Sequence, residues 1–373
     1  MKIVFVICSL ENRGGTERIT IDRANSLVRR GCEVCFIVFS GSGKTAYPLD
    51  GRVKVVNVSK VFDAGCTLRS NPVKFLYRYF KWRISLQKAV QKAINEINPD
   101  IVSMLAYHPL MIKTDCPLVL ESHCMRGTER RNPVKEFDLS RLAGRADAVV
   151  ALTMRDAAEW KEARRVEVIP NFTKLSPAGS CDYSAARVMA VGRLEMQKGF
   201  DILVDAWKTV RECHSDWTLD IFGDGGERAA LQAQIEHNGL VGSVNLRGSS
   251  NEIDKEYARH SVFVLSSRYE GFALVLLEAM SSGVACVSFD CPAGPSVIIE
   301  QDENGLLIPF EGLSREEQIR KLADGINYMI EHPDRRRRMG ERGRETVRRF
   351  SQDSIMEKWE KLYIDLIGNR RNK

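Results

Sequence analysis

The chain has 373 residues, 44% of them hydrophobic and 28% charged, a balance that supports packed cores and excludes a disordered or fibrous chain. That length exceeds one typical domain, so two are expected. Residues 1–150 hold 24 Lys and Arg against 14 Asp and Glu while the remainder is net acidic, so the first half is suited to an anionic surface or substrate.

Met1 to Leu10 reads as a buried first strand rather than a signal peptide. It leads into Asn12-Arg-Gly14-Gly15-Thr-Glu-Arg18 and a helix through Arg30, with Thr16 as the expected N-cap and Gly31 as the stop. A Gly-Gly turn there lets a ligand approach the backbone, although the dinucleotide fingerprint is missing. Strands follow near Val34–Phe39 and Val53–Val58. The ten Cys are scattered, and the only C-x-x-C, Cys32 to Cys35, lies in an apolar strand without a second pair at zinc spacing. Neither metal nor redox chemistry is expected from them, and reduced thiols imply the cytosol.

Residues 64–95 contain seven Lys or Arg (69, 74, 78, 81, 83, 88 and 92), five aromatics and no acid. Asn71-Pro72 opens this segment as N-cap and first helical residue, and the helix is expected to continue to Ile97. At helical spacing Phe75, Tyr79 and Trp82 fall near one face, with Phe80 to its side and Arg78, Lys81 and Lys88 flanking it. Aromatic rings bordered by cations suit an anionic membrane surface, so residues 69–92 are the expected docking segment. No window of eighteen apolar residues exists, so no span is expected, and the expected location is peripheral on the cytoplasmic face of the membrane. No nucleic-acid partner is expected.

Strands at Ile101–Leu105 and Leu118–Glu121 come next, the second ending in Ser122-His123. A loop carrying Arg126, Arg130 and Arg131 precedes a helix around Val134–Ala143, a strand at Ala148–Leu152, a helix at 153–163 and a strand at Val166–Ile169. This alternation predicts a parallel, doubly wound domain over residues 1–172. Residues 173–185 have linker composition. A second alternating series fills 186–350, so the fold class is α/β with two Rossmann-like domains. The last helix, in 351–373, carries an apolar stripe of Ile355, Trp359, Leu362, Tyr363 and Leu366 and is expected to pack back on the first domain. The run Arg335–Arg338 reads as a solvated face.

The candidate chemistry sits at strand ends of the second half. Val188–Val191 ends in Gly192-Arg193, with Lys198-Gly199 opening the next helix; two cations beside a helix N-terminus can clamp a diphosphate. Leu219–Phe222 ends in Gly223, and Val244–Leu246 ends in Arg247. The apolar strand Val262–Leu265 runs into Glu270-Gly271-Phe272-Ala273-Leu274, then a helix bearing Glu278 and closed by Gly283. The backbone N–H groups near Phe272 to Leu274 are expected to be free for a hydroxyl-rich, partly anionic ligand. The chain contains no Asp-x-Asp, the usual carboxylate pair for a divalent ion on a nucleotide diphosphate, so side-chain cations are expected to replace a metal.

Taken together, Gly192 to Gly199, Phe222-Gly-Asp-Gly-Gly-Glu-Arg228, Glu270-Gly-Phe through Glu278-Ala-Met, and Asn304-Gly-Leu-Leu resemble the retaining glycosyltransferases of family four, which have the GT-B fold of two Rossmann-like domains facing across a cleft. Gly14-Gly15-Thr-Glu-Arg18 fits the N-terminal Gly loop of that family. The resemblance implies that Arg193 and Lys198 hold the diphosphate, that Glu278 holds ribose hydroxyls, and that Glu270 with the amides of Gly271 to Ala273 holds the transferred sugar. It implies that Gly15 approaches the donor phosphates and that His123 lies near sugar and acceptor. Cys291-Pro-Ala-Gly294-Pro295 resembles a subset that builds bacterial surface polysaccharide or lipid-linked oligosaccharide, mostly from UDP-sugars, lipopolysaccharide and capsule among the products. Ala273 stands where many relatives have Pro, and Val297 where many have Glu.

The expected activity is retaining, metal-independent transfer of a hexose or N-acetylhexosamine from a nucleotide diphosphate, UDP above all, to a saccharide on a lipid carrier, without a cofactor. Front-side departure of the diphosphate is the mechanism the family implies. Two alternatives stand beside it: a UDP-sugar 2-epimerase of the same fold, which needs an acid/base constellation not evident in the sequence, and a non-catalytic membrane-docking module with a degenerate nucleotide site.

Overall fold

The computed structural model describes residues 1–60, 62, 71–106, 110–124, 126, 133–174 and 181–371. Arg69, Arg130, Arg131 and residues 175–180 of the expected linker lie outside the described residues. The chain divides into two compact units, Met1–Pro170 with Ile355–Lys373, and Asn171–Ser354.

The first unit is built on a seven-stranded parallel sheet of β1 (Lys2–Ile7), β2 (Glu33–Val38), β3 (Lys54–Asn57), β4 (Ile101–Leu105), β5 (Leu118–Glu121), β6 (Ala148–Ala151) and β7 (Val166–Val168), in the order β3-β2-β1-β4-β5-β6-β7. Both faces are covered, so strands such as Ile3 to Ile7 are apolar at every position and almost wholly buried. The order reverses between β1 and β4, and such a reversal opens a crevice at the carboxyl ends of the strands. Helices α1 (Gly15–Arg29), α2 (Pro72–Ile97), α3 (Pro133–Ala143) and α4 (Met154–Ala157) follow their strands. The chain's last helix, Gln352–Arg371, buries Ile355, Trp359, Leu362, Tyr363 and Leu366. From Ile355 on it belongs to this unit, through Arg30–Glu360 and Arg370–Asp147 ion pairs.

Four local expectations change. Helix α1 begins at Gly15 with Gly14 as an extended N-cap, so Thr16 lies inside the first turn, where its carbonyl accepts from Thr20. Glu17 supplies the negative charge that a helix N-terminus favours, in place of a capping hydroxyl. The helix expected over 153–163 stops after Ala157 and continues as single turns, because Trp160 folds into the core.

The third change concerns α2. Phe75, Tyr79 and Trp82 do not form the outer face: they cluster with Phe62, and the Trp82 ring N–H donates to the Lys60 carbonyl. Their stripe continues at Leu86, Val90, Ala93 and Ile94, all buried, so one seam four and three residues apart packs inward along the whole helix. Outward instead stand Val73, Leu76, Tyr77, Phe80 and Ile84, beside exposed Lys74, Lys81 and Lys88 spaced seven apart. Arg83 is not part of that face, since it pairs with Asp138 at 2.6 Å.

The second unit holds a six-stranded parallel sheet of β8 (Arg187–Val191), β9 (Thr218–Phe222), β10 (Val244–Gly248), β11 (Val262–Leu265), β12 (Ala285–Phe289) and β13 (Gly305–Ile308), ordered β10-β9-β8-β11-β12-β13. Its reversal lies between β8 and β11. The helices are α5 (Phe200–Cys213), α6 (Arg228–His237), α7 (Ile253–Ala258), α8 (Leu274–Ser281), α9 (Pro295–Ile298), α10 (Arg315–Glu331) and α11 (Pro333–Val347). The fourth change is here: Arg336 of the expected solvated run is buried over the Trp217 ring and donates to the carbonyls of Met329, Ile330 and Tyr183. Five donors on one guanidinium can satisfy carbonyls left open at the end of α10.

Candidate active site

In the second unit two loops at the sheet's reversal are fastened together. The loop after β8 forms one 3-10 turn, Met196–Lys198, before α5. The loop after β11 grips it: Arg268 N–H donates to the Gln197 carbonyl, the Gln197 side chain to the Tyr269 carbonyl, and Ser266 Oγ to the Lys198 carbonyl. Gly199 joins 3-10 turn and helix at φ +63, and a Cβ there would collide with the Ser266 carbonyl. Gly223 at φ +137 lies against the Gly192 carbonyl with no room for a side chain, which closes the ends of β8 and β9 together.

This fastening brings Lys198 to Glu270, 72 residues away in sequence. Lys198 Nζ donates to Glu270 Oε1 at 2.7 Å, and Ser267 Oγ donates to the same oxygen at 2.6 Å. The carboxylate is 6% exposed as a residue, and the Lys side chain 15%. A buried carboxylate needs such partners, since an unpaired charge in that position is costly. Arg193 stands exposed on the same loop. From the far side the loop after β12 packs in: Gly294 fits against Glu270 Cβ, and Ala293 holds φ +82.

Glu278, on the second turn of α8, is buried and accepts from the Tyr257 hydroxyl at 3.1 Å. Phe272 is buried edge-on to Phe350, and Ala273 beneath it is equally enclosed. Of the amides expected to be free, that of Leu274 is already bound to the Phe272 carbonyl at 2.9 Å, because α8 opens with a tight turn. Arg247 is half-exposed and its Nε donates to Asp220 at 2.8 Å. Asp220 also accepts from Asn245 and from His260. Burial alone would raise the Asp220 carboxyl, but the hydrogen bonds from His260, Arg247 and Asn245 outweigh it and hold it at about 2.

In the first unit Gly14 and Gly15 open α1 directly after β1, at that sheet's reversal. His123 follows β5. Its Nε2 lies 2.8 Å from Glu121 Oε2, and its Nδ1 is buried with no hydrogen-bond partner among the described residues. Glu121 is 1% exposed; Arg23 Nη2 reaches both of its oxygens at 2.5 and 2.6 Å, and Ser103 Oγ donates to Oε1. Arg23 is sandwiched between the Trp359 and Phe5 rings, at 3.9 and 4.8 Å to their centroids. Burial alone would push the Glu121 carboxyl up, yet the Arg23 charge and the His123 hydrogen bond hold it at about 2.

Sequence reading missed Glu121, Arg23, Ser267 and Asp220. A signal existed for two of them. Arg23 falls between Ile19 and Leu27 on the buried face of α1, and Glu121 closes a strand that is otherwise apolar. A charge in a core position predicts a buried partner.

Among the described residues no group of three or more His, Cys, Asp or Glu could hold a metal ion, and no helix is long and apolar enough to cross a membrane.

Comparison with known proteins finds two family models along the chain: Glycosyltransferase Family 4 over residues 13–176 and Glycosyl transferases group 1 over residues 183–346. The amylovoran biosynthesis glycosyltransferase AmsD of Erwinia amylovora is 26% identical, over 96% of this chain and 98% of its own. A UDP-N-acetylglucosamine–peptide N-acetylglucosaminyltransferase GtfA subunit of Limosilactobacillus reuteri subsp. suis is 35% identical over 142 residues, 37% of this chain and 27% of its own. Among solved structures, a variant of S. aureus TarM in complex with Fondaparinux, alpha-GlcNAc-glycerol and UDP superposes with a TM-score of 0.78 at 17% identity, covering 97% of this chain and 99% of that one. With two parallel α/β units in this order and both family models along its length, the chain belongs to the glycosyltransferases of the family-four type, with the GT-B fold.

Proposed function

We propose that this glycosyltransferase moves a hexose or N-acetylhexosamine from a UDP-sugar to a saccharide acceptor on a lipid carrier, with retention of anomeric configuration and without a metal ion, in the building of a bacterial surface polysaccharide. The observation that carries this reading is the Lys198–Glu270 pair at the reversal of the second sheet, with Arg193 exposed beside it. In the free enzyme Lys198 neutralises Glu270. On donor binding the diphosphate takes over Lys198 and Arg193, and Glu270 turns to the sugar hydroxyls, with Glu278 on the ribose. The bond between anomeric carbon and diphosphate oxygen breaks as the acceptor hydroxyl bonds that carbon from the same face. The hydroxyl proton passes to the departing diphosphate, giving UDP and a glycoside. Fixed cations stabilise the charge that develops on the leaving oxygen. The relatives named for UDP-N-acetylglucosamine and amylovoran support the donor and product class.

Incubation with a panel of UDP-sugars, with and without a lipid-linked saccharide, tests it. UDP release that requires acceptor, survives EDTA and yields an α-product from an α-donor is the expected result. Release abolished by EDTA rejects metal independence, and epimerised donor without glycoside rejects transfer.

The membrane partner rests on a separate observation, the outward face of α2. Val73, Leu76, Tyr77, Phe80 and Ile84 make an apolar strip with the Lys74, Lys81 and Lys88 row alongside. The lysines continue into a groove of about 640 Å³ that also includes Lys92 and Lys113. An apolar strip beside a cationic row fits an anionic bilayer surface, each Lys contributing about 1 kcal/mol near the lipid headgroups. Co-sedimentation with anionic vesicles that is lost in Lys74→Glu/Lys81→Glu/Lys88→Glu, and weakened by salt, is expected; binding indifferent to lipid charge rejects it.

A further inference from the structure

In the proposed transfer the Lys198–Glu270 pair opens when the donor arrives, so that pair cannot be what holds the turn Met196–Lys198 at that moment. The turn is three residues long, and each of its carbonyls accepts from the loop after β11: Met196 from Arg268 Nη1 at 2.7 Å, Gln197 from the Arg268 N–H at 2.8 Å, and Lys198 from Ser266 Oγ at 2.9 Å. Arg268 thus binds two successive carbonyls, one through its side chain and one through its backbone. Its guanidinium is itself fixed: Nη1 and Nη2 donate to the two oxygens of Asp201, in the first turn of α5, at 2.8 and 2.7 Å. Arg315, which opens α10, donates to Asp201 at 2.6 Å and to Asp205 at 2.7 Å, and Asp205 accepts in turn from Gln234 and Asn238. Burial alone would raise the Asp201 carboxyl, but the hydrogen bonds from Arg268 and Arg315 outweigh it and hold it below the usual carboxylate range. Two guanidinium groups face two carboxylates here, so the charge of Arg268 is already balanced within the protein.

We propose that Arg268 is a positioning residue for the transfer: together with Ser266 it fixes the backbone of the turn Met196–Lys198, so that Lys198 Nζ changes partner from Glu270 to the diphosphate while the turn stays in place. The inference rests on the reading that Lys198 receives the diphosphate. The anchors act on the main chain of the turn, the exchange of partners acts on the far end of the Lys198 side chain, and a flexible stem separates the two. A planar guanidinium suits the anchoring task, because it bonds a carboxylate through both Nη groups and still offers an N–H to a carbonyl. The Gln197 side chain answers from the other side by donating to the Tyr269 carbonyl, so the grip is mutual. Rigidity matters here because a fixed cation is effective only where the leaving oxygen develops its charge, and a displacement of about 1 Å can cost about a hundredfold in rate.

The test is a double-mutant cycle on kcat, read by UDP release from UDP-N-acetylglucosamine or UDP-glucose, with Kd for UDP measured beside it. Arg268→Met should lower kcat roughly 10–100-fold and change Kd for UDP about twofold or less, because a long lysine stem still reaches a diphosphate from a displaced turn while the departing oxygen demands one position. In the Lys198→Met background the same substitution should cost about twofold or less, since the residue it acts through is gone. Arg268→Lys keeps the charge but not the fork and should resemble Arg268→Met rather than the wild type. Arg315→Met takes the other guanidinium from Asp201 without touching the turn; it should lower the melting temperature and leave kcat unchanged. Losses that multiply across Arg268→Met and Lys198→Met overturn the proposal, because Arg268 then acts elsewhere. UDP binding weakened as much as kcat overturns it by making Arg268 a direct diphosphate contact. A kcat loss in Arg315→Met equal to that in Arg268→Met overturns it as a general effect of stability. If Arg268→Met does not fold, Ser266→Ala, which frees the Lys198 carbonyl and leaves the guanidinium contacts intact, enters the same cycle with the same expected and overturning outcomes. Failure of the transferase reading looks different: Lys198→Met alone then leaves kcat unchanged, or neither UDP-sugar releases UDP at all.

Discussion

Two buried carboxylates, one in each unit, are held by the same kinds of group and behave differently. Glu121 in the first unit ends a parallel strand and Glu270 in the second follows one, and each takes one cation and one serine hydroxyl. The cation of Glu121 is an arginine on a long helix, clamped between two aromatic rings and itself buried. The cation of Glu270 is a lysine on a glycine-bounded loop, within reach of water. Arginine in a planar clamp keeps its partner, whereas lysine is a mobile point charge that another anion can attract. The first pair is built to stay, the second to exchange. An anion arriving at Lys198 frees Glu270 in the same act, which suits a site that must bind diphosphate and sugar hydroxyls together.

Breaking each pair from the cation side sharpens this contrast, and the largest effect is expected in the first unit. Arg23→Met leaves Glu121 buried and unpaired and should cost about 3–5 kcal/mol of stability in denaturant unfolding. Lys198→Met should cost less, about 1–3 kcal/mol, because water can partly replace the ammonium. Equal losses would mean that the two pairs are alike and that Lys198 is structural. Arg193→Ala should lower kcat about a hundredfold, about 3 kcal/mol of transition-state stabilisation, with no change in melting temperature, since Arg193 is exposed. Arg193 is therefore a cleaner probe of the leaving group than Lys198, whose removal also disturbs Glu270.

A smaller effect separates the two carboxylates of the second unit. Glu278→Gln should weaken UDP binding by about 1.5–3 kcal/mol in calorimetry, and Glu270→Gln by less, because free UDP has ribose but no sugar for Glu270 to hold. Equal losses would reassign them. The pH dependence completes the comparison. The Glu121 carboxyl is lowered from 4.5 to about 2, so its contribution is present in full above about pH 5 and is lost as pH falls toward 2. Asp220, lowered from 3.8 to about 2, acts in the same direction and window for the second unit. Acid titration monitored by Trp fluorescence should show stability falling through that window, and the fall attributable to the first unit should shrink in Arg23→Met/Glu121→Gln.

Much of the fold was legible because parallel strands buried on both faces are written as unbroken apolar runs. The turns after β1, β8 and β9 were legible through their glycines, and Asn71-Pro72 through helix-start chemistry that the structure reproduces, the Asn71 side chain accepting from the Lys74 amide. The α2 surface was misread for a local reason. The helix carries two apolar stripes, and the aromatic one has a membrane-surface composition although it runs on through Leu86, Val90 and Ala93 into the core. The shorter stripe, Val73 to Ile84, ends where the lysine row continues. Arg336 was misread because a charge run looks solvated in any window, and which of four arginines turns inward depends on the carbonyls waiting below it.

What the sequence determined by itself was much of what depends on neighbours along the chain: the apolar strand runs, the glycine turns, the Asn71-Pro72 cap, and the order of strands and helices. What only the tertiary structure decided was which charges meet. Lys198 and Glu270 are 72 residues apart, and Arg23 and Glu121 are 98 apart. Nothing in either segment names the other, because a charge's partner is chosen by the desolvation it suffers where the sheet places it, and that exists only once the strands have been brought side by side.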